Sequence, residues 1–171
     1  LDSTPLQRAI QSAPDRGVVA KTIPEHEYFC FRLGDLQFGV PSEHVLEVLR
    51  AGPLTPLPKT PSFILGVCAH RGDVLPVLDV LRFLGKGEAR VGARTRLFLG
   101  ITGSYVAGMV TDAVIGLRRF PLAQILPVPL GGSNASEYLS GVVNAGTRGE
   151  AILLLNLSKM LHATRRRAVN R

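Results

Sequence analysis

Residues 63–84 read FILGVCAHRGDVLPVLDVLRFL, and residues 138–161 read YLSGVVNAGTRGEAILLLNLSKML. Each stretch has an apolar start, a Gly-Val step (Gly66-Val67, Gly141-Val142) and an Arg-Gly turn (Arg71-Gly72, Arg148-Gly149). Each then runs through an apolar strand into Asp79 or Asn156 and an apolar helical turn. An internal repeat constrains architecture before any motif is read. It also separates residues that both copies need from residues that one copy alone carries.

A second echo lies outside the first. Residues 28–33 have strand composition, Gly34-Asp35 reads as a hairpin turn, and residues 36–40 form the return strand. Residues 96–100, the Thr102-Gly103-Ser104 turn and residues 105–110 repeat this pattern at an offset of 69. The Gly66–Gly141 echo has an offset of 75. Residues 28–84 are therefore loosely repeated by residues 96–161. The expectation is two β-units of about 60 residues, each too small to be comfortably stable alone and so sharing an apolar seam. After the first hairpin, Pro41-Ser42 is expected to begin a helix with Ser42 as N-cap and Glu43 in its first turn. Val45, Val48 and Leu49 would form its buried face, with Glu47 off the stripe. Asp112, Val114 and Leu117 repeat Glu43, Val45 and Val48.

Residues 86–94 (KGEARVGAR) carry Gly and charge without a strand pattern and read as a linker. Residues 121–134 read as an extended segment followed by a flexible loop. A closing helix is expected from 156 to about 162, capped by Asn156 and burying Leu157, Met160 and Leu161. Residues 1–25, with Pro5, Pro14 and Pro24, read as a flexible extension.

The composition is 46% hydrophobic, enough for a core without disulfides or metal. Eighteen Gly and twelve Pro imply many turns. The formal charge is +7, of which Arg165, Arg166, Arg167 and Arg171 supply four. Residues 164–171 thus read as a basic, solvated tail. Cys30 and Cys68 sit in apolar runs without CxxC spacing, as small hydrophobes in a reducing compartment. No signal-peptide pattern and no uninterrupted apolar run of about 18 residues is seen, so the expectation is a cytoplasmic protein without membrane insertion.

The search for chemistry finds no G-x-G-x-x-G, P-loop, H-E-x-x-H or G-x-S-x-G. His26, His44, His70 and His162 are scattered, and no carboxylates pair for acid–base work. No catalytic residue, metal ligand or cofactor is expected. Basic residues lack the interleaved aromatics that stack nucleic-acid bases, so no nucleic acid is expected as a partner.

The run Phe63-Ile64-Leu65-Gly66-Val67, Arg71-Gly72, Leu75-Pro76-Val77-Leu78-Asp79-Val80 resembles the central signature of the CheW-like family. Further matches are Gly39-Val40, Val45-x-Glu47-Val48, Thr60-Pro61-x-Phe63, Val106-x-Gly108-x-Val110-x-Asp112, Glu137-Tyr138-Leu139-x-Gly141 and Leu155-Asn156. The resemblance implies a mainly β fold: two five-stranded SH3-like β-barrels packed over a shared hydrophobic core, with short helices. It delimits a domain over residues 26–163, with subdomains at roughly 28–84 and 96–161. It also implies a non-enzymatic adaptor of bacterial chemosensory arrays. Such a protein would bridge the cytoplasmic tip of a chemoreceptor to the regulatory domain of a CheA-type histidine kinase, and could join other CheW-like domains in rings.

Residue by residue, the resemblance places a functional Arg at Arg71 and an acidic partner for it at Glu47, on the expected first helix. Val45, Val48 and Gly66 match positions linked to receptor contact. Arg96, Leu97 and Leu117 are candidates for kinase contact at the barrel ends. Arg71 has a counterpart in Arg148, whereas Glu47 aligns with Gly116, so only the first unit carries the pair. The family's usual Asn-Leu before the Arg is Ala69-His70 here. Two rival readings are a divergent adaptor that binds receptor or scaffold without coupling a kinase, and a small-barrel nucleic-acid binder that uses the Arg tail.

Overall fold

The structure is a computed structural model, described here over residues 23–129, 134–145 and 148–169. Most of the expected N-terminal extension (1–22) and part of the expected loop before residue 134 lie outside the described residues.

Alternating and apolar runs build the strands. β1 (Glu25–Leu33) and β2 (Leu36–Pro41) form a hairpin in which Leu33 pairs with Leu36. Gly34 turns it at φ +61, a left-handed conformation that favours glycine. β6 (Arg96–Thr102) and β7 (Tyr105–Thr111) repeat the hairpin about Gly103, at φ +58. β4 (Ile64–His70) with β5 (Asp73–Leu78), and β9 (Leu139–Asn144) with β10 (Ala151–Leu155), form the second pair of matching hairpins.

The expected helix after the first hairpin is a correction. Only one 3₁₀ turn forms, Ser42–His44, and the chain continues as β3 (Val45–Arg50). Burial alternates along β3: Val45, Glu47 and Leu49 are half-buried, while Leu46, Val48 and Arg50 are exposed. Six residues are too few to tell helical from strand spacing, and period two wins because Val45 and Leu49 pack on the core from one face. Its echo is likewise β8 (Ala113–Pro121).

Among the described residues the strands form two five-stranded sheets, in the orders β8-β1-β2-β10-β9 and β3-β6-β7-β5-β4. These orders are the same under exchange of the two repeats. They also correct the expected division at 28–84 and 96–161. The β1–β2 hairpin pairs with strands of the second repeat, and the β6–β7 hairpin with strands of the first. In each sheet the segment that follows one edge strand makes a single bridge to the other edge strand: Thr55, after β3, with Val67 of β4, and Leu126, after β8, with Val142 of β9. The ladders stay open otherwise, in an SH3-like arrangement.

The expected shared seam is the larger core cluster, which takes Phe31 and Phe38 from one sheet and Phe98, Met109 and Val77 from the other. The Phe31 ring centroid lies 5.5 Å from Phe38 and 4.7 Å from Phe98. A smaller cluster gathers Tyr28, Cys30, Phe120, Val143, Ile152 and Leu154.

Each repeat closes on a capped helix. The buried Asp79 carboxylate accepts from the backbone N–H groups of Leu81 and Arg82, starting α1 (Val80–Leu84), and from Ala89 in the linker. Asn156 Oδ1 accepts from Lys159 N at the start of α2 (Leu157–Val169). The two repeats make the same backbone bond here: Asp79 N donates to Phe63 O, and Asn156 N to Tyr138 O, each at 2.8 Å.

α2 extends to Val169, so the basic tail expected from residue 164 is largely helical. The reason is aromatic. The Arg167 guanidinium lies 4.9 Å from the Phe83 ring centroid and donates to the Tyr138 hydroxyl at 3.2 Å. Arg165 lies 5.5 Å from the ring of Tyr105. Cations over aromatic faces hold these exposed side chains against the protein surface.

Candidate partner-binding site

The site begins with the β4–β5 turn. His70 pairs with Asp73, leaving Arg71 and Gly72 as the two turn residues at φ +50 and +84. Two-residue turns with both φ positive match the twist of a hairpin and favour Asn-Gly. An Arg at the first position holds a strained backbone, of order 1 kcal/mol. The turn projects the guanidinium outward, and its side chain is 76% exposed.

Glu47 comes from β3, the opposite edge strand of the same sheet. The Thr55–Val67 bridge ties the segment that follows β3 to β4. Arg71 Nη2 donates to Glu47 Oε1 at 3.3 Å, so the expected pair forms. It forms from a strand, not a helix. His70 also reaches Glu47, with Nε2 3.1 Å from Oε2. The carboxylate is acceptor-only when ionised, so Nε2 carries the proton in this contact. Glu47 thus uses one oxygen for each neighbour. Sequence reasoning noted His70 as a departure but missed this contact. The available signal was its place directly before Arg71.

The other candidates separate by burial. Val48 is 39% exposed and lies on the same face as Leu46, which is 54% exposed. The two stand on the opposite face of β3 from Glu47, so the edge strand carries the charged cluster on one side and an exposed apolar pair on the other. Val45 faces inward and packs against the core. Gly66 is buried, and a Cβ there would meet Thr55 O at 2.6 Å. Its counterpart Gly141 is closed off in the same way, since a Cβ there would lie 3.1 Å from Leu126 O. Both glycines admit the chain segment that bridges the edge strands, which accounts for their presence in both repeats.

Leu97 is wholly buried in the core and offers no surface to a partner, which corrects its place among the contact candidates. Arg96 and Leu117 are exposed but belong to different sheets. Leu117, 62% exposed on β8, is the repeat counterpart of Val48, and Ile115 that of Leu46. The two edge strands therefore present matching apolar pairs, and only β3 adds a carboxylate. Among the described residues no group of three or more His, Cys, Asp or Glu side chains could hold a metal ion. No helix among them is long and apolar enough to cross a membrane.

The sequence model of the CheW-like domain matches residues 27–165. The chain belongs to the CheW-like family. It is 69% identical over 159 residues to protein FrzA of Myxococcus xanthus, covering 93% of this chain and 99% of that protein. It is 31% identical to the chemotaxis protein CheW of Rhizobium meliloti, covering 83% of this chain and 91% of that one. The crystal structure of the scaffolding protein TtCheW from Thermoanaerobacter tengcongensis matches the fold with a TM-score of 0.71 at 23% identity, over 80% of this chain and 88% of that one. The expectation of a mainly β, CheW-like architecture holds, and the protein is a chemotaxis scaffold of the CheW-like type. The sheet exchange between repeats belongs to this fold, not to the repeat units read separately.

Proposed function

We propose that this scaffold acts in the cytoplasm by contacts alone, without catalysis, linking the cytoplasmic tip of a chemoreceptor to the regulatory domain of a CheA-type histidine kinase. The observation that carries the reading is the Glu47–Arg71 pair, with Arg71 exposed, on an edge strand whose other face presents Leu46 and Val48. A guanidinium held by one carboxylate keeps donors for a second, and Leu46 and Val48 add buried area where a partner wraps the strand edge. The receptor tip takes this edge, through Arg71, Glu47 and Val48, with Val45 and Gly66 supporting the strand geometry beneath. The kinase domain, or another CheW-like domain in a ring, takes surface that includes Leu117 on the matching edge and Arg96.

The decisive experiment is reconstitution of receptor fragment and kinase with and without this protein, measuring kinase autophosphorylation and co-sedimentation. Activity and sedimentation that are the same in both conditions would sink the reading. Binding to receptor without binding to the kinase, in pairwise assays, would instead favour the divergent adaptor. A nucleic-acid role has less to stand on, because Arg165 and Arg167 lie over aromatic rings of the protein itself.

A further inference from the structure

We infer that His70 is a positioning residue of the receptor edge: it takes one oxygen of Glu47, limits Arg71 to a one-armed contact, and so leaves the guanidinium open to a carboxylate on the partner. This rests on the proposed receptor site.

Arginine and a carboxylate favour a two-armed, parallel pair when both oxygens are free. Here they are not both free. Oε2 of Glu47 lies 3.1 Å from His70 Nε2, and Oε1 lies 3.3 Å from Arg71 Nη2. A guanidinium has five N–H donors. Among the described residues, the side chain of Arg71 meets Glu47 through one nitrogen, at long range for a charge-assisted bond. The rest of the group faces solvent.

The burial gradient has the right sense for this division. The His70 side chain is 20% exposed, Glu47 30% and Arg71 76%. The inner residue anchors, the middle one is held, and the outer one is presented. The strained turn at Arg71 adds to the case, since φ +50 fixes where the side chain leaves the backbone. The remaining charged groups nearby in sequence do not replace His70. Asp73 sits opposite it in the hairpin register, Arg50 ends β3, and β6 sets uncharged Leu99 opposite Glu47. A carboxylate-bearing partner surface, such as an acidic side chain on a receptor helix, is the chemistry that an open guanidinium recognises.

The test uses the full chain with His70→Leu and His70→Gln. Leucine frees Oε2 and lets Glu47 take Arg71 with both oxygens. Glutamine restores an N–H donor to Glu47. Binding of a soluble chemoreceptor-tip fragment should fall roughly fivefold or more in H70L, the scale of one charge-assisted contact, and return to within about twofold in H70Q. In the free protein, the Arg71 guanidinium NMR signals should show slowed rotation in H70L and not in H70Q. Unchanged binding in H70L, or no rescue by H70Q, would overturn the inference. If the wild-type protein fails to bind the tip at all, the receptor reading fails, and the guanidinium signals alone decide whether His70 restrains the pair.

Discussion

Arg71 and Glu47 meet at 3.3 Å from opposite edges of one sheet, with Thr55 of the segment after β3 bridged to Val67 of β4. The contact is exposed, and an exposed pair contributes only about 0–1 kcal/mol. Arg71→Ala and Glu47→Lys should therefore change thermal unfolding little, by roughly 0–1 kcal/mol. Both should markedly weaken binding to a receptor-tip fragment in a titration. A large loss of stability in either variant would assign the pair a purely structural role.

The same arginine occupies a backbone conformation suited to Asn or Gly, at φ +50. Arg71→Asn should relieve about 0.5–1 kcal/mol of strain and raise the melting temperature by roughly 2 °C. It should also lose receptor binding. Calorimetry of the free protein, set beside the binding titration, checks that stability and function move in opposite directions.

Gly66 admits the carbonyl of Thr55 at a distance that no side chain tolerates, and its φ is +153. Gly66→Ala should cost about 2–4 kcal/mol by pushing the Thr55 segment off β4. Gly52 has nothing within 4 Å of a Cβ, so Gly52→Ala should stay within about 0.5 kcal/mol of wild type. Chemical denaturation of the two variants makes the comparison. Equal costs would refute the close-approach account.

Arg167 bonds the Tyr138 hydroxyl and lies over Phe83, whose ring meets both Phe63 and Tyr138 edge-on. Arg167→Ala should destabilise the protein by about 1–2 kcal/mol, and Arg167→Lys by less. Deleting residues 165–171 should cost more than either. A truncated protein with wild-type unfolding would return the segment to the status of a dispensable tail.

Burial pushes the Cys30 thiol up to about 11 from an ordinary 9.0. A raised value means that the folded state holds the proton more tightly. The stabilisation is therefore complete below pH 9 and is lost as pH rises from 9 through 11. Its full size is roughly 2–3 kcal/mol at about 1.4 kcal/mol for each pH unit. Unfolding measured from about pH 8 to pH 11 should show this decline, and Cys30→Ala should flatten part of it. At about pH 8 a thiol reagent should modify native Cys30 very slowly, because it is wholly buried and protonated.

The sequence made the hairpins legible because Gly34, Gly103 and the Arg71-Gly72 pair stand where φ must be positive. Asp79 and Asn156 were legible for a similar local reason: each begins an apolar helical turn and caps it. The Glu47–Arg71 pairing followed from the family resemblance, and the structure brings the two together. What stayed hidden was non-local. Val45, Val48 and Leu49 fit helical spacing as well as strand alternation, and only the core beneath β3 decides between them. Leu97 is apolar whether it packs inward or outward. Arg167 looked solvated because its aromatic partners, Phe83 and Tyr138, are distant in the chain. The sheet exchange was invisible because a repeat defines a unit without saying which copy its strands will join.

That exchange has a mechanical consequence. The β1–β8, β2–β10, β3–β6 and β5–β7 ladders all tie one repeat to the other. Moving one sheet against its neighbour cannot be a hinge motion about residues 86–94, because strands from both halves are woven into both sheets. A load applied at the β3 edge is carried through hydrogen-bonded strands and a common core to β8. A body laced in this way resists shear between its two sheets.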